Sequence, residues 1–257
     1  MPTTVDAKEL EAKVKDMYRH VAEEPRGAYH FEMGRGLAER LGYPTEVLDR
    51  IPEEAIESFA GVGYFFDLAA LREGESVIDL GSGSGADVFF AASQIGPGGR
   101  VVGIDFTVEQ LEKARRLAAE AGFGRVEFRE GRIESLPADD ESFDCVISNG
   151  VVNLSPDKGS VFREAARVLR PGGRMAIADI VSGKELAESI VCDADLWAAC
   201  IGGAAQHDAH REAIEAAGLR IEEIRENRYE FITDQARNAS AKYGVKSVSL
   251  LAVKQAG

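Results

Sequence analysis

The sequence predicts a doubly wound α/β fold: a mostly parallel seven-stranded sheet, helices on both faces, an antiparallel strand at the edge and a helical segment ahead of it. Three observations carry that expectation. From residue 74 onward, short β-branched runs alternate with helical segments, the pattern of right-handed β-α-β crossovers. A glycine-rich turn, "GSGSG" at 81–85, separates the first such run from the helical stretch after it. Before both lie residues 1–70, charged and rich in Ala and Glu, with apolar positions at three-to-four spacing.

In chain order, "AKELEAKVKDMYRHVAE" reads as a helix, broken at Pro25-Arg26-Gly27. "GRGLAERLGYP" reads as a second, and "PEEAIESFAG" as a third with Pro52 in its first turn, where a missing N–H costs nothing. "ESVIDLG" and "GRVVGIDFT" are strand-like and flank the helical run "ADVFFAASQIG". "TVEQLEKARRLAAEAG" is an amphipathic helix closed by Gly122. "RVEFREG", "FDCVISNG" and "GRMAIADIV" supply three more strands, with a helix opening near Asp157. "LRIEEIRENRYEFITD" and "KSVSLLAVKQ" read as a closing pair of strands, with no helix of usual length between them, suited to an antiparallel edge. Two regions are expected: residues 1–70 as a helical region and residues 71–257 as the α/β core.

Composition narrows the partners. The net charge of −14 over 257 residues opposes phosphate-backbone binding, which needs a basic patch. No apolar run approaches the roughly 20 residues that span a bilayer, and the charged N-terminus does not resemble a signal peptide. Cys145, Cys192 and Cys200 are odd in number and lack CxxC spacing, so neither a disulfide framework nor a closed zinc site is indicated. His207 and His210, three apart on one helical face, read as a solvated cap rather than a metal pair. The expectation is a cytoplasmic protein with a small-molecule substrate, no resident metal, and no nucleic-acid or membrane partner.

The strongest chemical signal is Val77-Ile78-Asp79-Leu80-Gly81-Ser82-Gly83-Ser84-Gly85. Glycines at a strand-to-helix turn let a ligand reach the main chain at a helix N-terminus. The G-x-G-x-G spacing is tighter than the dinucleotide G-x-G-x-x-G, and Asp79 would repel a pyrophosphate. A ligand carrying an ammonium or ribose hydroxyls would not be repelled. Asp105 ends the second strand, the position from which an acid grips ribose hydroxyls. A nucleoside bearing an amino acid, S-adenosylmethionine, fits both acids.

These motifs resemble the S-adenosylmethionine-dependent methyltransferase core. "VIDLGSGSG", Asp105, "GRIESLPADDESFDCVIS" and "VFREAARVLRPGGRMAIAD" carry the resemblance over residues 74–180. It implies that Gly81, Ser82 and Gly83 approach the methionine and ribose, that Asp105 binds the ribose, that Phe106 lies beside adenine, and that Ile133 and Glu134 lie near its edge. Arg132 stands where many family members carry an acid. Asn149, just past the fourth strand, either reaches the cofactor's amino-acid end, lines the pocket, or caps a turn. By the same resemblance, residues 1–70 form a lid.

Through "ISNGVVNLSPDK", "DLWAACIGGA" and "AKYGVKSVSLLAVK" the chain is similar to the arsenite methyltransferases. That likeness implies three thiolates for a metalloid, yet Val62 and Gly150 stand at two of the expected positions and only Cys200 matches. One cysteine cannot cage a soft metalloid. The candidate substrate residues are Tyr18, His30, Val62, Tyr64, Gly150, Asn153, Trp197 and Cys200; no recognisable catalytic motif assigns a general base. Three readings follow: methylation of a small organic acceptor, metalloid methylation with a reduced thiol set, and non-catalytic binding of S-adenosylmethionine.

Overall fold

The computed structural model describes residues 5–193, 196–197 and 201–255. Its strands are β1 (Ser76–Leu80), β2 (Arg100–Asp105), β3 (Val126–Glu130), β4 (Phe143–Asn149), β5 (Leu169–Ser182), the two-residue β6 (Ala205–Gln206), β7 (Leu219–Glu226) and β8 (Lys246–Lys254). They form one sheet in the order β3-β2-β1-β4-β5-β8-β7, with β6 beside β5. Every pairing is parallel except those of β8, which runs antiparallel to both β5 and β7. The chain therefore winds outward from β1 in both directions. Open sheets of this kind bind ligands outside the strand carboxyl ends at such a reversal.

Side-chain alternation explains why the sheet is covered twice. Val77, Cys145, Ile147, Ala176 and Ala178 enter a core with α6 (Ala86–Ile95) and α7 (Val108–Glu120). Ile78, Val146, Met175 and Ile177 enter another with α8 (Lys158–Val168). Period two along each strand sends neighbours to opposite faces, and parallel strands need both faces buried.

The N-terminal helices are α1 (Ala7–Glu23), α2 (Arg35–Leu41), α3 (Thr45–Leu48), α4 (Glu53–Glu57) and α5 (Phe66–Ala69). Asp6 caps α1 by accepting from the amides of Lys8 and Glu9, which satisfies N–H groups the first turn leaves free. Tyr43, Phe59, Phe65 and Phe66 share the core of Val77 and Phe90, so this region packs directly onto the sheet. Leu10 and Val14 of α1 meet Leu154 and Trp197 in a smaller cluster.

Three details depart from the sequence reading. The sheet has eight strands, because Ala205–Gln206 pairs with Val181–Ser182. A helix, Asp234–Tyr243, stands between β7 and β8 where none of usual length was expected; Thr233 caps it and Gly244 ends it in the left-handed conformation. His210 is 4% exposed, inside the helix His207–Ala216, with its ring edge-on to Phe162. Burial holds it near a pKa of about 3, so it is a neutral core side chain rather than part of a solvated cap. Among the described residues no helix is long and apolar enough to cross a membrane.

Candidate S-adenosylmethionine cleft

The cleft forms where β1, β2 and β4 end. Gly81 and Ser82 both donate their amides to the Ile104 carbonyl, at 2.8 and 2.9 Å, folding the turn back over β2. Gly81 has φ +74, and a Cβ there would lie 2.5 Å from the Val151 side chain. Backbone conformation and space thus both demand glycine. The turn delivers the chain into the amino end of α6.

Asp105 is positioned by two backbone donors: the Gly83 amide at 2.9 Å and the Thr107 amide at 2.8 Å. The carboxylate of Asp79 is different. It is 2% exposed, lines the cleft, and accepts no hydrogen bond from any described residue. Burial, then the neighbouring charges of Asp87 and Asp105, hold its pKa well above the ordinary carboxylate range. A buried acid without a partner is costly unless a ligand supplies one.

Asp87, in the first turn of α6, completes the acidic floor. Tyr43 Oη donates to its Oδ1 at 2.6 Å and Asn149 Nδ2 to its Oδ2 at 3.1 Å. Burial raises its pKa to about 6, against the pull of those two hydrogen bonds. Asn149 is heavily committed: its Oδ1 accepts from the Val62 and Gly63 amides at 2.7 and 3.3 Å, and its Nδ2 also reaches the Gly63 carbonyl and Tyr43. It stitches the 61–63 loop, α6 and β4 together at the cleft wall.

The roof is α1. Ala7, Leu10, Glu11, Val14 and Tyr18 line the cleft, and their spacing of three and four puts them on one helical face. Glu11 is paired with Arg132 at 2.7 Å, and Gln110 Nε2 donates to the Tyr18 carbonyl at 2.8 Å. Both contacts pin the roof to the core.

Every residue assigned to the cofactor from sequence lines this cleft, from Asp79 and the glycine turn through Asp105, Phe106, Ile133 and Glu134 to Asn149. The substrate candidates divide. Tyr18 lines the cleft; His30, Val62, Tyr64, Gly150, Asn153 and Trp197 do not, and Cys200 lies outside the described residues. His30 stacks edge-on against Phe31. Tyr64 packs on Tyr43, Phe66 and Phe90. Val62 and Asn153 are buried, one layer behind the wall. Trp197 donates Nε1 to the Val191 carbonyl at 2.7 Å, and Lys158 sits 4.8 Å over its ring. These side chains lie outside the lining of the cleft. Sequence reading missed Glu11, Asp87 and Gln110; the helical face shared by Leu10, Glu11, Val14 and Tyr18 is the signal that marks the first.

Gly150, at φ +75, adjoins Val62: a Cβ there would lie 3.1 Å from Val62 Cγ1. The two positions lacking cysteine are therefore neighbours. Cys145 is fully buried in β4, its thiol pushed up to about 12 by burial, and Cys192 is half-buried. Among the described residues, no group of three His, Cys, Asp or Glu is arranged to hold a metal ion.

A glycine turn, two acids at adjacent strand ends and a helical roof define a nucleoside-binding transferase, and residues 71–218 match the family model described as a methyltransferase domain. The chain belongs to the S-adenosylmethionine-dependent methyltransferases. It is 42% identical to the arsenite methyltransferase of Halobacterium salinarum over 77% of this chain and 51% of that protein. It is 39% identical to that of Aquipseudomonas alcaligenes over 74% and 56%. The chain thus spans about half the length of these curated relatives. Among solved structures it resembles CrArsM, an arsenic(III) S-adenosylmethionine methyltransferase from Chlamydomonas reinhardtii, with TM-score 0.64 and 32% identity, covering 87% of this chain and 74% of that one.

Proposed function

We propose that this protein methylates a small organic acceptor, with residues 1–70 as the lid and acceptor side and residues 71–257 as the cofactor-binding core. The observation that carries the reading is Asp79: a carboxyl group buried at the cleft floor, beside the glycine turn, with no hydrogen-bond partner among the described residues. A cationic amino-acid nucleoside supplies what it lacks. The residues fit S-adenosylmethionine, with Asp79 toward its positive end, Asp105 toward the ribose, and Phe106, Ile133 and Glu134 around the adenine. When bound, that cofactor supplies an electrophilic methyl group on a sulfonium.

The chain's own part is placement. The turn at Gly81–Gly83 holds its backbone against the ligand, and α1 closes the opposite side. Excluding water and fixing the acceptor in line accounts for most of the acceleration such a transfer needs.

Metalloid methylation is the second reading, favoured by the named relatives and opposed by Val62 and Gly150. A third is cofactor binding without catalysis. Incubation with labelled S-adenosylmethionine and a panel of organic acceptors, beside arsenite with a thiol, separates the three. Label transfer to an organic acceptor that survives Cys200→Ala is the expected result. Methylated arsenic lost in Cys200→Ala would replace the first reading with the second. Cofactor binding with no S-adenosylhomocysteine from any acceptor would leave the third.

A further inference from the structure

We infer that the acceptor is an apolar molecule carrying no carboxylate, sulfate or phosphate, because the cleft is built against negative charge; this rests on the methyltransferase reading above. Among the described residues, the acidic and basic side chains lining the cleft are Glu11, Asp79, Asp87, Asp105, Glu134 and Arg132. Five are acids. The one cation, Arg132, is already bonded to Glu11 at 2.7 Å. An anionic acceptor would find no free cation among these lining residues.

The parts left beyond the cofactor's strip point the same way. Asp105, Phe106, Ile133 and Glu134 serve the nucleoside, and Asp79 its positive end. The apolar part of the remaining wall is made by Leu10, Val14 and Tyr18 of α1, by Phe59 with Ala60 and Gly61, and by Leu154, and its other polar side chains, Ser58, Gln110 and Ser155 among them, are uncharged. Its one ionisable floor group is Asp87, held by Tyr43 and Asn149. Apolar walls keep the local dielectric low, which lengthens the reach of that carboxylate. An anion placed there faces repulsion and loses its water together. An uncharged group loses little, and an amine gains a counter-charge.

Three ligands on one skeleton test this: naphthylmethylamine, naphthylmethanol and naphthoate, each titrated calorimetrically into the full chain saturated with S-adenosylhomocysteine. The amine and the alcohol are expected to bind, with naphthoate at least tenfold weaker than the alcohol. In Glu11→Gln, Arg132 loses its partner and the gap should narrow. Naphthoate binding as tightly as the alcohol overturns the inference, as does an unchanged gap in Glu11→Gln, or no heat from any of the three. Heat from S-adenosylhomocysteine alone is recorded first. Its absence would defeat the methyltransferase reading, whereas its presence with naphthoate preferred would defeat only the charge selection.

Discussion

Asp105 shows how strand geometry fixes one side chain at the cleft. Its two oxygens are aimed by the Gly83 and Thr107 amides, so the carboxylate is preorganised at the end of β2 before a ligand arrives. A hydrogen bond to a charged group contributes about 1.5–3 kcal/mol, roughly 10- to 150-fold in affinity. Asp105→Ala should weaken S-adenosylhomocysteine binding within that range; calorimetry showing unchanged affinity would mean the ribose lies elsewhere. Positions 62 and 150 make a second test. Because a Cβ at 150 would lie 3.1 Å from Val62 Cγ1, cysteines at both would place two sulfurs in one neighbourhood. The double variant Val62→Cys/Gly150→Cys should gain affinity for a monosubstituted trivalent arsenical, which takes two soft thiolates. It should also lose stability, since the left-handed backbone at 150 disfavours any side chain by about 1–2 kcal/mol. No gain in arsenical binding would show that the two positions do not form one site.

At the level of elements, α1 both closes the cleft and belongs to the apolar cluster of Leu10, Val14, Leu154 and Trp197. Burying Leu10 contributes roughly 1.5–3 kcal/mol to that contact. Leu10→Asp places a charge at a position 2% exposed and should lift the helix from the cleft. The expected outcome is at least a tenfold loss of cofactor affinity, read by calorimetry, with the main thermal transition of the sheet retained. Unaltered affinity would remove α1 from the binding machinery. Local pattern made this helix legible, because a 3.6-residue period with an Asp cap needs no tertiary information. The same holds for the glycine turn and Asp105, whose meaning lies within one β-α unit. The helix Asp234–Tyr243 was harder to read, although Thr233 and Gly244 bracket it. Its interior offers only Ala236 and Ala239 as buried positions, too little apolar periodicity to declare a helix. Trp197 and Tyr64 lie outside the cleft lining, which the sequence does not reveal: an aromatic in a cleft wall and one packed behind it have the same composition, and only three-dimensional layering separates them.

Across the whole molecule, the net charge of −14 is gathered in part into buried acids at one end of the sheet, and this couples stability to pH. Burial raises Asp87 to about 6 and carries Asp79 well above its ordinary value, while an unfolded aspartate titrates near roughly 3.9. Between those values the folded chain holds more protons than the unfolded one. Stability therefore falls as pH rises there: the contribution is fully present below the unfolded pKa and is lost as pH passes about 6 for Asp87 and passes the raised pKa of Asp79. A cationic ligand reverses the penalty, because an ammonium beside Asp79 favours its ionised form. The melting-temperature increment given by S-adenosylmethionine should consequently be larger at about pH 7.5 than at about pH 5. Asp79→Asn should flatten that difference while raising the melting temperature of the ligand-free chain at the higher pH, since the amide keeps the shape without the charge. An increment independent of pH in the native chain would mean that Asp79 meets no cation in the complex.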